Sequence, residues 1–221
     1  MNILTENLLG HFFLLVIFFF VLVWSKKYPN IKNFLLTAFF IRASLVVLEQ
    51  YGFIILPDGN LLFSDANRFD LIAREFSNKQ GLLVILDFFV QDSLLIARII
   101  SIFYTIFGES IMMAKSISVA LGTLSVYMVY SLSLKIWNHR SAIKAAWLTA
   151  LFPSLILYSS ITLREAYIVF FLIFSLTGIV KFIKEKSLVS LLQVIVGFYI
   201  LSLFHGPAAL GGLIFLFYLM L

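Results

Sequence analysis

Cysteine is absent from the 221 residues, which excludes disulfides and thiolate metal sites. Charge is scarce: 12% of residues are Asp, Glu, Lys or Arg, against 62% hydrophobic, and the mean hydropathy is +1.06. A water-facing surface needs far more charge, so an ordinary soluble domain is ruled out. Histidine is sparse too; His11, His139 and His205 lie far apart, and no metal-ligand spacing links them. P-loop, dinucleotide fingerprint and nucleophile elbow are missing, which argues against a nucleotide-driven pump. The N-terminus, MNILTENLLGHFF, has no basic stretch before its apolar run and no small-residue cleavage site after it. It reads as a retained span rather than a removed signal peptide.

What is present is a succession of apolar blocks near the ~20 residues a helix needs to cross hydrocarbon. In lipid only helices satisfy their own backbone groups at this strand-free periodicity, so the expected fold is an all-α polytopic membrane protein. Seven spans are expected, near Leu8–Trp24, Asn33–Leu48, Ile111–Ile136, Ser141–Tyr158, Leu163–Val180, Leu188–Phe204 and Pro207–Leu221. The organisation is read as one module: two N-terminal spans (1–50), an outer loop with juxtamembrane helices (51–110), and a helical bundle (111–221). The last apolar run is shorter than a full crossing, so an N-terminal portion of a longer protein is expected.

Orientation follows from lysine and arginine. The basic connections SKKYPNIKN, KIWNHRSAIK and KFIKEKS are expected on the cytoplasmic side. The net charge of +5 and pI near 9.4 then report membrane orientation, and no nucleic-acid partner is expected. Residues 82–107 are apolar but carry Asp87, Asp92 and Arg98, each costing about 2.5–3.5 kcal/mol at mid-bilayer. We expect one or two helices lying in the outer interface there, with two shallow crossings as the alternative of equal parity. Of the acidic residues only Glu185 falls in an expected cytoplasmic loop. Asp58, Asp65, Asp70, Glu75, Asp87, Asp92, Glu109 and Glu165 fall on or near the outer side.

The densest cluster of charge is SDANRFDLIARE, residues 64–75. Ionisable groups are costly beside a bilayer, which makes such a cluster a candidate working site. Phe69, Ile72, Ala73 and Phe76 fall at helical spacing, with Asn67, Asp70 and Arg74 on a polar side. Ser64 can cap that helix and place Asp65 in its first turn, where the dipole favours a carboxylate. Asp65 then reads as a fixed outward-facing base or as helix-start chemistry alone; Asp70 reads as an i,i+4 partner for Arg74. In PSLILYSSITLREAY (153–167), Pro153 breaks a span and Tyr158–Thr162 turn. Thr162 and Glu165 have capping-box spacing. Arg164 at an outer helix start suits a phosphate, or simply snorkels toward water. His205 sits in the turn HGP and can touch a substrate. Gly211 and Gly212 allow close helix approach. Arg42 lies inside a span on the same face as Glu49, where Glu49 or a lipid phosphate can offset its charge.

The order of SDANRFDLIA, YTIFGESIMMAKSISVALGTLSVYMVYSLSLKIW and ALFPSLILYSSITLREA resembles the GT-C superfamily of membrane glycosyltransferases. The nearest group is the family 39-like one, with its protein mannosyltransferases and aminoarabinose transferases; the likeness spans roughly Asp58 to Lys186. It implies an enzyme of the bacterial cytoplasmic membrane, active at the outer face. Such an enzyme takes a sugar from a polyprenyl-phosphate carrier and passes it to a glycan, lipid or protein acceptor. The family's catalytic aspartate falls on Asp65. Arg164 or Arg68 would stabilise the departing phosphate, with Glu165, Asp70 and His205 as further substrate contacts. Phe69 stands where the pattern commonly has tyrosine, and Asp87, Asp92 and Glu109 are candidates for a second acid. No cofactor is indicated; a divalent cation is compatible with such chemistry but has no ligand pattern to support it. The rival readings are a polysaccharide polymerase, a lipid-linked glycan transporter and a non-catalytic membrane scaffold.

Overall fold

A computed structural model describes residues 3–53, 61–88 and 94–220. In chain order the helices are α1 (Ile3–Lys27), α2 (Pro29–Gln50), α3 (Leu61–Lys79), α4 (Leu95–Phe107) and α5 (Ile111–Ile136), followed by α6 (His139–Leu151), α7 (Pro153–Tyr158), α8 (Arg164–Glu185), α9 (Leu188–Phe204) and α10 (Ala208–Met220). A 3₁₀ turn, Gly81–Asp87, lies between α3 and α4, and no strand occurs among the described residues. Four helices are long and apolar enough to cross a membrane, over Leu4–Lys26, Pro29–Gln50, Ile111–Ile136 and Arg164–Glu185. They mark an integral membrane protein. Many large apolar side chains of α1, such as Phe12, Leu15, Phe19 and Phe20, are exposed, as expected where lipid rather than water is the solvent.

The other expected spans are shorter. The segment Ser141–Tyr158 is broken at Phe152, which is extended (φ −68°, ψ 118°) between α6 and α7. Pro153 takes the first position of α7, where its missing N–H costs nothing. The helix α9 has 17 residues and α10 has 13.

Side-chain contacts sort the helix termini into two ends. At one, the Ser110 hydroxyl donates to the Glu6 carbonyl (2.7 Å) and Gln50 donates to Asn7 (2.9 Å). These contacts join the start of α1, the end of α2 and the start of α5. Tyr167 and Phe204, with ring centroids 5.1 Å apart, add the start of α8 and the end of α9. At the other end Lys184 donates to the Lys135 carbonyl, and the rings of Tyr130 and His139 approach to 6.2 Å. The described carboxylates other than Glu185 therefore gather at or near the first end. Lys26, Lys32, Lys135, Arg140, Lys184 and Lys186 gather at the second.

The segment between α2 and α5 leaves and rejoins the bundle at the acidic end. There α3 packs along α4 through Ala66, Phe69, Ala73, Leu95, Ile96 and Ile100. The apolar stripe read from the sequence is thus the buried face: Phe69 and Ala73 are buried, and Ile72 and Phe76 are half-buried.

Candidate functional site

The helix α3 already runs from Leu61, so Ser64 lies inside it and Asp65 beyond its first turn. The expected Ser64 cap is therefore wrong, and with it the dipole argument for Asp65, because that field fades within one turn. What distinguishes Asp65 is exposure. Asp65 and Arg68 both face out of the bundle, one turn apart on the same helix face, and neither makes a hydrogen bond or ion pair with another described residue.

Asp70, five residues on, is only 6% exposed and fully engaged. Arg74 donates to its Oδ2 (Nε–Oδ2 2.9 Å) and the Tyr104 hydroxyl donates to its Oδ1. The same guanidinium donates to Glu109 (2.6 Å), sits 3.9 Å from Glu6 and lies 5.7 Å from the Tyr104 ring centroid. Asn78 donates to the second oxygen of Glu109 (3.1 Å). Burial tends to lower the pKa of Arg74, but the hydrogen bond and charge of Asp70, with Glu109 and Tyr104, raise it overall. Burial, reinforced by Asp70, pushes the Tyr104 phenol up, so it remains a donor. The cluster is a clasp: one guanidinium ties α3 to the starts of α1 and α5. The polar side expected for Asn67, Asp70 and Arg74 is accordingly split, with Asn67 outward and Asp70 inward.

The turn after α7 meets α3 beside Asp65. Thr162 donates to the carbonyl of Ala66 (3.3 Å) and does not cap α8. The N-cap of α8 is Leu163, with no side-chain cap hydrogen bond, and the expected Thr162–Glu165 capping box is not formed. Arg164 opens α8 half-exposed, 3.9 Å from Glu165. The Oε2 atom of Glu165 is buried without a hydrogen-bond donor among the described residues. It lies in the wall of a small cavity shared with Arg42, Tyr158 and Ser159. His205 is exposed in the α9–α10 turn at the same end. Gly212 packs on Phe198, whereas a Cβ at Gly211 would meet no described atom within 4 Å.

Arg42 has a different role from the one expected. Glu49 pairs with Lys115, and Arg42, 1% exposed, donates to Ser159 (2.7 Å), Ala38 O (3.0 Å), Ala150 O (3.2 Å) and Thr149 O (3.5 Å). The Thr149 and Ala150 carbonyls are those left without helical donors by the break before Pro153. A buried guanidinium thus closes the open end of α6, and the negative pole of that helix offsets its charge. A proline in one span and an arginine in another were both legible; their meeting was not.

No family profile, curated protein or solved structure matches this chain. The fold brings exposed Asp65, Arg68 and His205 and half-exposed Arg164 to one end of the bundle. Asp70 and Glu109 are diverted into the clasp. Asp87 is half-buried in the 3₁₀ turn, while Asp58 and Asp92 lie outside the described residues. Among the described residues no group of three His, Asp or Glu side chains is placed to hold a metal ion.

Proposed function

We propose that the chain is a membrane glycosyltransferase that moves a sugar from a polyprenyl-phosphate donor to an acceptor at the non-cytoplasmic face. The observation that carries this reading is the contrast along α3. Asp70 is locked into a clasp that holds the helix still, while Asp65 and Arg68, five and two residues before it, stand exposed and make no hydrogen bond or ion pair with a described residue. A carboxylate and a guanidinium on a rigid helix, at the water-facing end of apolar spans, suit a reaction that joins a polar acceptor to a lipid-borne leaving group.

In that reaction the acceptor oxygen attacks the anomeric carbon with inversion, and the bond from that carbon to the carrier phosphate breaks. Asp65 takes the acceptor's proton, a role worth about 10²–10⁴-fold in rate. Arg68, with Arg164 across the turn that touches Ala66, stabilises the charge gathering on the departing phosphate. The Thr162–Ala66 contact supports this pairing, because it brings the chain beside Arg164 to the chain beside Asp65. The prenyl tail stays among the apolar spans below.

The same proposal completes the topology. The α6–α7 pair, α9 and α10 add three crossings to the four long spans, making seven. The basic end faces the cytoplasm of a bacterial inner membrane, and α3, the 3₁₀ turn and α4 lie in the outer interface.

The test is Asp65→Asn in membranes containing the protein, reading release of polyprenyl phosphate from a panel of polyprenyl-phosphate sugars. The expected loss is at least about 10²-fold, with Glu75→Gln as an active control on the same helix. Turnover by Asp65→Asn within a factor of about two of wild type would reject the assignment.

A further inference from the structure

At the basic end, remote from Asp65, the start of α2 and the last turns of α5 enclose a pocket of about 290 Å³, near the small end of ligand-binding cavities. Its polar wall is formed by Tyr28, Asn30, Tyr127, Tyr130 and Ser131. Tyr130 is 7% exposed, yet its hydroxyl makes no hydrogen bond with another described residue; nor does that of Tyr127. Two phenol hydroxyls with no hydrogen-bond partner among the described residues therefore line one cavity. The rings themselves are held: Tyr127 lies 4.4 Å from Trp24, and Tyr130 lies 5.3 Å from Phe34.

Two separate features favour an anion in this pocket. It contains the N-terminus of a 22-residue helix that has proline at its first position and no side-chain cap. The amide of Asn30 and the positive pole of the α2 dipole are therefore turned toward the cavity. Lys26, Lys32 and Lys135 flank the lining residues in the chain, and none forms an ion pair with a described residue. His139 stands with its ring centroid 6.2 Å from that of Tyr130. Hydroxyl donors, a helix N-terminus and lysines nearby in the chain together favour a phosphate oxygen, and Trp24 with the tyrosines suits the aromatic belt found at headgroup depth.

We propose that this pocket binds the phosphate of an anionic phospholipid headgroup in the leaflet at the basic end. The site is separate from the α3 surface and stands whether or not the chain transfers sugars. The experiment uses the protein stripped of lipid in detergent and titrated with phosphatidylglycerol, phosphatidylcholine or soluble glycerol 1-phosphate, with occupancy read by native mass spectrometry.

Phosphatidylglycerol is expected to bind roughly tenfold tighter than phosphatidylcholine, and the Tyr127→Phe/Tyr130→Phe protein to bind phosphatidylglycerol roughly tenfold more weakly than the unsubstituted protein. The substitution changes no net charge and keeps both rings, so general attraction to anionic lipid would survive it. If the double variant fails to fold, the single variants Tyr127→Phe and Tyr130→Phe supply the same comparison. Equal affinity for the two lipids would overturn the proposal, as would phosphatidylglycerol binding left unchanged by the hydroxyl deletions. Glycerol 1-phosphate binding as tightly as phosphatidylglycerol would show a site for soluble phosphates and overturn the lipid assignment.

Discussion

At the scale of single residues, the decisive question for each charge is what it touches, and neighbours in sequence answer it poorly. Asp65 and Asp70 occur in one run of residues, yet one is exposed and the other is bonded to Arg74 and Tyr104. Removing the guanidinium with Arg74→Met would leave Asp70 buried beside Glu109 without its counter-charge. We expect a loss of about 1.5–3 kcal/mol, read as a lowered melting temperature in detergent together with faster hydrogen exchange in α3. Unchanged exchange in α3 would show that the clasp does not hold the helix. Tyr104 provides a pH signature. Its folded pKa lies above the ordinary phenol value of 10.0, so the stabilisation linked to its proton is complete below pH 10 and declines as pH rises beyond it. Tyr104→Phe should flatten that alkaline decline in a melting-temperature profile; an unchanged slope would exclude Tyr104 as its source.

At the scale of elements, close approach between helices depends on small residues. A Cβ on Gly197 would collide with the Ser175 hydroxyl and stand 3.0 Å from the Phe174 ring, so the α8–α9 contact requires glycine there. Gly197→Leu should therefore push α9 off α8 and cost about 1–3 kcal/mol by overpacking, whereas Gly211→Leu, at a position with open space around it, should leave the melting temperature unchanged. Equal effects of the two would contradict this packing. The helices themselves were readable because apolar length and periodicity are local. Their boundaries at functional places were not: Ser64 and Thr162 both look like caps, but α3 starts earlier and Thr162 donates to Ala66 of another helix. A hydroxyl that can accept from a helix-start N–H or donate to a distant carbonyl is assigned by tertiary contact, and cap motifs cannot anticipate that competition.

At the scale of the whole molecule, the bundle separates charge. The carboxylate-rich end holds α3 and its exposed Asp65, and the lysine-rich end holds the tyrosine pocket. Because the chain has no cysteine, single-cysteine labelling can map this polarity without background. A cysteine at Asn67 should react with an impermeant thiol reagent from outside the membrane, and one at Asn138 only from the cytoplasm. Reaction of both from the same side would break the proposed orientation.

Composition and apolar length were enough to establish helices in lipid and the sorting of lysines from carboxylates along the chain, because both reflect transfer energies that depend on residue type more than on partners. The breaking of a span at Pro153 was equally local, since a missing N–H needs no neighbour to take effect. Folding in three dimensions determined that Arg42 closes the opened helix, that Lys115 takes Glu49, and that Asp70 is diverted into a clasp while Asp65 stays exposed. Those outcomes depend on which buried donor reaches which buried acceptor, and that competition is resolved between helices more than 100 residues apart for Arg42 and Ser159.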